Sequence, residues 1–316
     1  MFKIVLLFIS LFAVMGCSAG KVSSTTGLPT EGNNQPDQGL ENPKDPTDPT
    51  DPLAGTEPVK ALQKFSKVIY IVFENEDQKN VISNAYFKSL AQQGANFTNL
   101  KAEIHPSQGN YIAMVAGDPY GINHDGNVDL NVPHLADLLE NKNKTWKTYA
   151  EGYPGNCFTG SRSGKYARKH SPFMSFVNIT NNKKRCANIV SEKTFFSDWQ
   201  SGNLPNFSMY IPDLNNDGHD TSIDFSAKWL KANFESYFNN AALMKDTLIV
   251  LTYDESTALG KNKVYSVLLG PSVIAGSVIT DQHSHSSFIK MMETEWDLGT
   301  LNRDDAKAPP INGIWK

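Results

Sequence analysis

The stretch KVIYIVFENE, residues 67–76, decides the fold. Val68 to Phe73 is uniformly apolar and rich in β-branched and aromatic side chains, the pattern of a central strand covered on both faces. The run stops abruptly at Glu74, Asn75, Glu76 and Asp77. Open parallel sheets carry their chemistry at the carboxyl ends of such strands, so these residues are expected at a functional edge. TLIVLTY, residues 247–253, repeats the design and ends in Asp254 and Glu255. Two core strands that deliver Glu74, Asn75, Asp254 and Glu255 to one edge would form an oxygen-rich site for a divalent metal ion. The same acids could instead cap helices that follow the two strands.

Toward the N-terminus, Met1 to Lys3 is a short positive segment and Ile4 to Met15 an apolar one too short to span a bilayer, together an export signal. Gly16, Cys17 and Ser18 follow and resemble a bacterial lipobox, which implies acylation at Cys17. An ordinary secretory signal with an incidental cysteine is the alternative. Pro, Thr, Asp, Gly and Asn then dominate, with no apolar periodicity that could order the chain. The expected organisation is a lipoprotein signal peptide over 1–16, a solvated tether over 17–60 and one large α/β domain over 61–316. The expected location is the bacterial cell envelope, lipid-anchored to a membrane on its periplasmic or cell-surface face. A formal net charge of −4 argues against a nucleic-acid partner. In an exported chain, Cys157 and Cys186 read as one disulfide, or else as two buried thiols.

Downstream of the first strand, Val81 to Gln93 has the pattern of an amphipathic helix, with Gly94 as its stop. HPSQGNY, residues 105–111, precedes an apolar helical run that ends at Gly117. Ser107 there is either the N-cap of that helix or a hydroxyl placed at a helix N-terminus to receive a phosphoryl group. Arg168, Lys169 and His170 form a basic trio in a turn-rich region, either a solvated loop or a clamp for phosphate oxygens. Gly160 to Lys165 is one residue short of a P-loop, and no G-x-S-x-G elbow occurs within residues 61–316.

PDLNNDGHD, residues 212–220, follows a short strand. Asp213, Asn215, Asp217, Gly218 and Asp224 match positions one, three, five, six and twelve of a calcium loop, although a strand precedes them where an EF-hand has a helix. Asp213, Asp217 and Asp220 are otherwise active-site ligands or acids behind them. Val264 to Leu269 is a further core strand, and HSHSS, residues 283–287, opens the last long helix. His283 and His285 are candidate ligands or general acids.

Taken together, Glu74-Asn75, HPSQGNY, YARKHSPF, PDLNNDGHD, LTYDES and HSHSS resemble, in this order, the phosphoesterase family of bacterial phospholipases C and acid phosphatases, a branch of the alkaline phosphatase superfamily. The resemblance covers about Val68 to Lys316. It implies an α/β fold with a mostly parallel central sheet covered by helices on both faces. It also implies a metal-dependent hydrolase of phosphate esters, with a phosphomonoester or a phospholipid as substrate. Glu74, Asn75, Asp254 and Glu255 would hold the divalent metal ion, and Ser107 would be the phosphoryl-accepting nucleophile. His219 and His285 are candidates for protonating the leaving alcohol, and Arg168, Lys169 and His170 for binding the phosphate. Ser286 stands where the family usually has Tyr in a His-Tyr-Ser motif, which leaves the role of His285 open. A sulfatase would need a C/S-x-P-x-R motif, which the Ser107 segment lacks. The competing expectation is a lipid-anchored, calcium-stabilised binding module without catalysis, built on the Asp213 loop.

Overall fold

Two parallel strands enclose the segment that opened the sequence analysis, in a computed structural model that describes residues 63–316. The export signal, Cys17 and the 17–60 tether lie outside the described residues. Along the chain the strands are β1 (Lys67–Phe73), β2 (Ala95–Lys101), β3 (Trp146–Ala150), β4 (Arg162–Ser163), β5 (Tyr166–Ala167), β6 (Ile189–Ser191), β7 (Phe207–Ile211), β8 (Thr247–Tyr253), β9 (Lys263–Leu269) and β10 (Ser277–Ile279). Eight of them form one sheet in the order β10-β2-β9-β8-β1-β7-β3-β6, while β4 and β5 make a separate two-stranded ribbon. β1 pairs in parallel with β7 on one side and with β8 on the other, Lys67 opposite Thr247 through to Phe73 opposite Tyr253. Within the large sheet β9 alone runs against its neighbours β8 and β2. The mostly parallel α/β architecture is the expected one.

Helices cover both faces, and the aromatic residues of β1 show how. Tyr70 and Phe73 are an odd number of positions apart and therefore point to opposite faces. Tyr70 meets Phe288 of helix His285–Trp296, whereas Phe73 meets Phe87 of helix Ala85–Gln93 and Trp229 of helix Ile223–Phe238. A strand with no solvent face can be apolar at every position, and Val68 to Phe73 is buried throughout. The helix expected over Val81–Gln93 is divided: Gln78–Val81 forms one turn, and Asn84 caps a second helix by accepting from the amides of Tyr86 and Phe87. Gly94 ends that helix in an extended conformation rather than a left-handed one. Its role is close approach, since a Cβ there would lie 2.1 Å from the Leu268 carbonyl oxygen of β9.

The turn-rich region is tied together by a disulfide between Cys157 and Cys186, with Cα atoms 5.7 Å apart and the two cysteines 29 positions apart in sequence. At the far end of helix His285–Trp296, Glu293 and Asp305 both accept from the Leu301 amide, at 3.2 and 2.9 Å. Burial, together with the adjacent Asp305, pushes the Glu293 carboxyl up to about 8.

Replacing both cysteines with serine should lower stability by ~2 to 4 kcal/mol in denaturant unfolding, and unreduced digests of the wild type should contain the Cys157 and Cys186 peptides linked; free thiols in the native protein would contradict this. A carboxyl whose pKa is raised by folding contributes stability that is fully present below its unfolded pKa and lost as pH rises through the folded one. Glu293→Gln carries no charge, so its melting temperature relative to wild type should rise as pH climbs from the ordinary carboxyl range to about 8, and level off above it. A pH-independent difference would show that Glu293 does not hold that proton.

Candidate active site

Parallel pairing brings the ends of β1, β7 and β8 to one edge. The Asp254 amide donates to the Phe73 carbonyl at 2.9 Å and the Glu74 amide to the Asp217 carbonyl at 3.0 Å, so the ladder continues one step into the acids themselves. Asn75 then turns the chain in the left-handed region at φ 48°, a conformation asparagine tolerates better than most residues. That turn lets the Asn75 amide N–H donate to Asp254 Oδ1 at 3.1 Å. The Asn75 side-chain amide lies among Ser107 Oγ, Glu74 Oε2 and Asp254 Oδ1.

Ser107 is the first residue of helix Ser107–Ala116, with Pro106 in the capping position. The N-cap reading of Ser107 is therefore replaced: its hydroxyl points at the acids. Ser107 Oγ lies 3.1 Å from Glu74 Oε2 and 3.2 Å from Glu255 Oε1, and the Asn75 side-chain NH2 donates to it at 3.2 Å. One hydroxyl has a single proton to donate and two carboxylates face it, which leaves the cluster short of positive charge. One helical turn on, Tyr111 donates to Glu74 Oε1 at 2.6 Å and stacks on the His170 ring at 4.9 Å.

On that far side of Glu74, His170 Nε2 is 3.2 Å from Glu74 Oε1, and His170 Nδ1 is 3.5 Å from Asp217 Oδ2. Glu74, His170 and Asp217 present ligand atoms all within 4.8 Å of one another, and all three are buried. Burial lowers the His170 pKa well below its usual value, leaving the ring neutral as a ligand must be. Burial raises Glu74 well above the usual carboxylate range, reinforced by Asp254 and Asp217. Burial pushes Asp217 and Asp254 each up to about 8, the latter with help from Glu255. Asp217 Oδ2, Asp254 Oδ2 and His170 Nε2 are buried without a hydrogen-bond partner. Buried acids, a neutral imidazole and orphaned ligand atoms fit a divalent cation.

Around this centre the structure sorts the remaining candidates. Lys169 Nζ pairs with Asp125 Oδ2 at 2.8 Å; burial would lower its pKa, but Asp125, Glu74 and Asp254 raise it, so the ammonium stays charged beside the acids. His219 is one-third exposed, bonds Asp220 Oδ1 at 2.8 Å and lies with its ring centre 6.1 Å from that of His170. Arg168 points into the loop. Its buried guanidinium donates to the carbonyls of Thr159, Val128 and Met174 and to Asp129 Oδ1, so it braces the loop. His170 also leaves the substrate-binding trio, because it is sealed against Tyr111 and faces Glu74 and Asp217.

His285 lies behind the acids. It is fully buried and meets the Asp254 backbone carbonyl at 2.8 Å through Nε2, a contact that positions Asp254. The calcium-loop arrangement does not form: Asp213 accepts from the amides of Asn215 and Asn216, Asp220 pairs with Lys165, and Asp224 accepts from Asn84. Asp217 alone of that set reaches the acidic centre. His105, outside the candidates named from the sequence, places Nδ1 2.5 Å from Glu255 Oε2, and its side chain is 36% exposed. The signal was available in its position two residues before Ser107.

A profile of the phosphoesterase family matches residues 76–299. The chain is 36% identical over 257 residues to a probable acid phosphatase of Kluyveromyces lactis, a match that covers 77% of this chain and 61% of that protein. It is 32% identical over 261 residues to a phosphatidylinositol-3-phosphatase of Mycobacterium tuberculosis, covering 81% and 84% of the two. The chain thus spans about three fifths of the fungal acid phosphatases it matches and most of the mycobacterial protein. A solved alkaline phosphatase superfamily protein from Vibrio parahaemolyticus superimposes with a TM-score of 0.52 at 12% identity, covering 78% of this chain and 71% of that one. At that identity the likeness is one of fold.

Glu74→Gln, Asp254→Asn and Asp217→Asn should each lower the divalent metal bound to purified protein several-fold, read by atomic spectroscopy. Asp224→Asn, whose carboxylate meets Asn84 outside the cluster, should leave it unchanged. Metal content governed by Asp224, with Glu74 dispensable, would reverse this assignment.

Proposed function

The chain belongs to the phosphoesterase family, and on that premise we propose that it hydrolyses phosphate esters through a phosphoserine formed on Ser107. The observation that carries this reading is Ser107 Oγ itself, on the first turn of a ten-residue helix and within 3.2 Å of Glu74, Asn75 and Glu255. The names of the relatives support the substrate class: acid phosphatases and a phosphatidylinositol-3-phosphatase act on phosphate esters.

Glu74, Asn75, Asp254 and Glu255 would hold a divalent metal ion, with Asp217 and His170 on the other side of Glu74. When bound, such an ion lowers the pKa of a nearby hydroxyl and neutralises charge on phosphate oxygens. The protein's own groups account for the other parts of the reaction. Ser107 Oγ attacks phosphorus as the ester oxygen departs, and the amide end of its helix favours the charge gathering there. Glu255 touches Ser107 Oγ through one oxygen and His105 through the other, a path along which the serine proton can leave. His105 and His219 both reach solvent and are the imidazoles able to protonate the departing alcohol. Lys169 supplies a fixed positive charge for the non-bridging oxygens. Attack of water on the phosphoserine then releases phosphate and restores Ser107.

The same reading makes residues 61–316 the catalytic domain. The export signal, the Cys17 anchor and the 17–60 tether would place it on the outer side of a bacterial membrane.

Ser107→Ala should bind metal and melt as wild type does while p-nitrophenyl phosphate turnover falls on the order of 10³-fold or more. Chelation should abolish wild-type turnover and a divalent metal restore it. Substantial activity in Ser107→Ala would place the nucleophile elsewhere.

A further inference from the structure

The loop between β8 and β9 leaves the acidic site directly after Glu255 and returns at Lys263. Its form is fixed by hydrogen bonds. The Gly260 amide donates to the Thr257 carbonyl at 2.7 Å, closing a turn with Ala258 and Leu259 at its tip. Below the tip, Ser256 and Asn262 bond each other twice, at 3.1 Å in both contacts, and the Asn262 amide donates to the carbonyls of Ala102 and Ile104. A turn braced in this way holds Leu259 out, and its side chain is 100% exposed.

Lysines surround that leucine. Lys261 follows it within the loop, Lys263 opens β9, and Lys79 lines the same surface hollow as Leu259. Lys101 ends β2 directly opposite Lys263 in the antiparallel ladder. Like charges facing each other across a ladder are destabilising. Lys101, Lys261 and Lys263 make no ion pair among the described residues, and Lys79 has only Asp77 at 4.0 Å. Lys79, Lys101 and the Lys261–Lys263 segment are far apart in sequence and meet because β2 ends and β9 begins at the same sheet edge as Glu74 and Asp254.

We propose that this surface is where the protein docks on an anionic lipid bilayer, with Leu259 entering the headgroup boundary and Lys79, Lys101, Lys261 and Lys263 facing acidic headgroups. A soluble acidic partner would satisfy the lysines but offer nothing to a leucine held upright among them. A bilayer satisfies both, because apolar burial and attraction to anionic lipid act together at its interface. No helix of the described residues is long and apolar enough to cross a membrane. The inference rests on the phosphoesterase reading only for its consequence: a site beside the docking loop would meet phosphate esters at a bilayer surface.

The test uses the full chain carrying Cys17→Ser, so that acylation cannot contribute, and sedimentation with vesicles of phosphatidylcholine alone or mixed equally with phosphatidylserine. Wild-type binding should be stronger to the mixed vesicles and weaken with salt. Leu259→Asp, and Lys261→Glu with Lys263→Glu, should each weaken it about tenfold or more, while p-nitrophenyl phosphate turnover stays at the parent value. Equal binding to both vesicle types, or binding by these variants equal to the parent, overturns the proposal, including the case where an acidic protein is the partner. Loss of turnover in the parent would count against the phosphoesterase reading alone, since vesicle binding is scored without it.

Discussion

Mutual repulsion among buried acids is the constraint on which this structure depends. Glu74, Asp217, Asp254 and Glu255 are all nearly inaccessible to solvent and lie close enough to raise one another's affinity for protons. An isolated carboxylate moved out of water either finds a counter-charge or takes up a proton. Here Lys169 is the nearby permanent cation that bears on Glu74, and it is already paired with Asp125. Such a cluster persists because the backbone leaves it little choice. Glu74 and Asp254 extend parallel strands paired in register, and the Glu74 amide is bonded to the Asp217 carbonyl. The stability of the apolar strands is spent in part on holding charges together.

The same rigidity fixes the hydroxyl that faces the acids. Helix Ser107–Ala116 is buried along its entire length and packs against helix His285–Trp296. Gly109 lets the chain around Ile122 approach the helix, since a Cβ there would come within 2.5 Å of the Ile122 carbonyl oxygen. At its other end, Gly117 adopts a left-handed conformation at φ 69° and closes the helix. Ser107 and Tyr111, one turn apart, thus reach opposite oxygens of Glu74. His285 adds support from behind through the Asp254 carbonyl, which explains how a histidine in a motif can matter without touching a reacting atom.

What could be read in the sequence follows from which forces are local. Uniform apolarity over Val68–Phe73 and Thr247–Tyr253 reports two-sided burial, and burial on both faces implies a parallel sheet with its acids at one edge. Those inferences needed only composition and length, and the strands and their direction agree with them. Failures occurred where a side chain had more than one neighbour to choose from. Arg168 looked like an anion binder because arginine often is, but three loop carbonyls and Asp129 lie within its reach. Asp213 and Asp224 matched a spacing template, yet one bonds its own turn and the other a helix cap. The break at Asn84 was missed because the apolar period runs through it, while the cap acts through two amide bonds that leave the period intact.

The antiparallel run of β9 was equally invisible in sequence, since Val264 to Leu269 is apolar in either direction. Its consequence reaches the functional edge. Had β9 been parallel to β8, the chain would have had to cross to the opposite edge of the sheet before entering it. Running antiparallel, it needs only a short loop, and that loop stays beside Glu255. Reversal also places the first residue of β9 against the last of β2, which sets Lys263 opposite Lys101. One topological choice therefore keeps the acids on one part of the edge and assembles cations on the part beside it. The two charge patterns can coexist because the acids are buried, where charge is weakly screened and demands a partner, while the lysines lie near solvent and stay screened until one arrives.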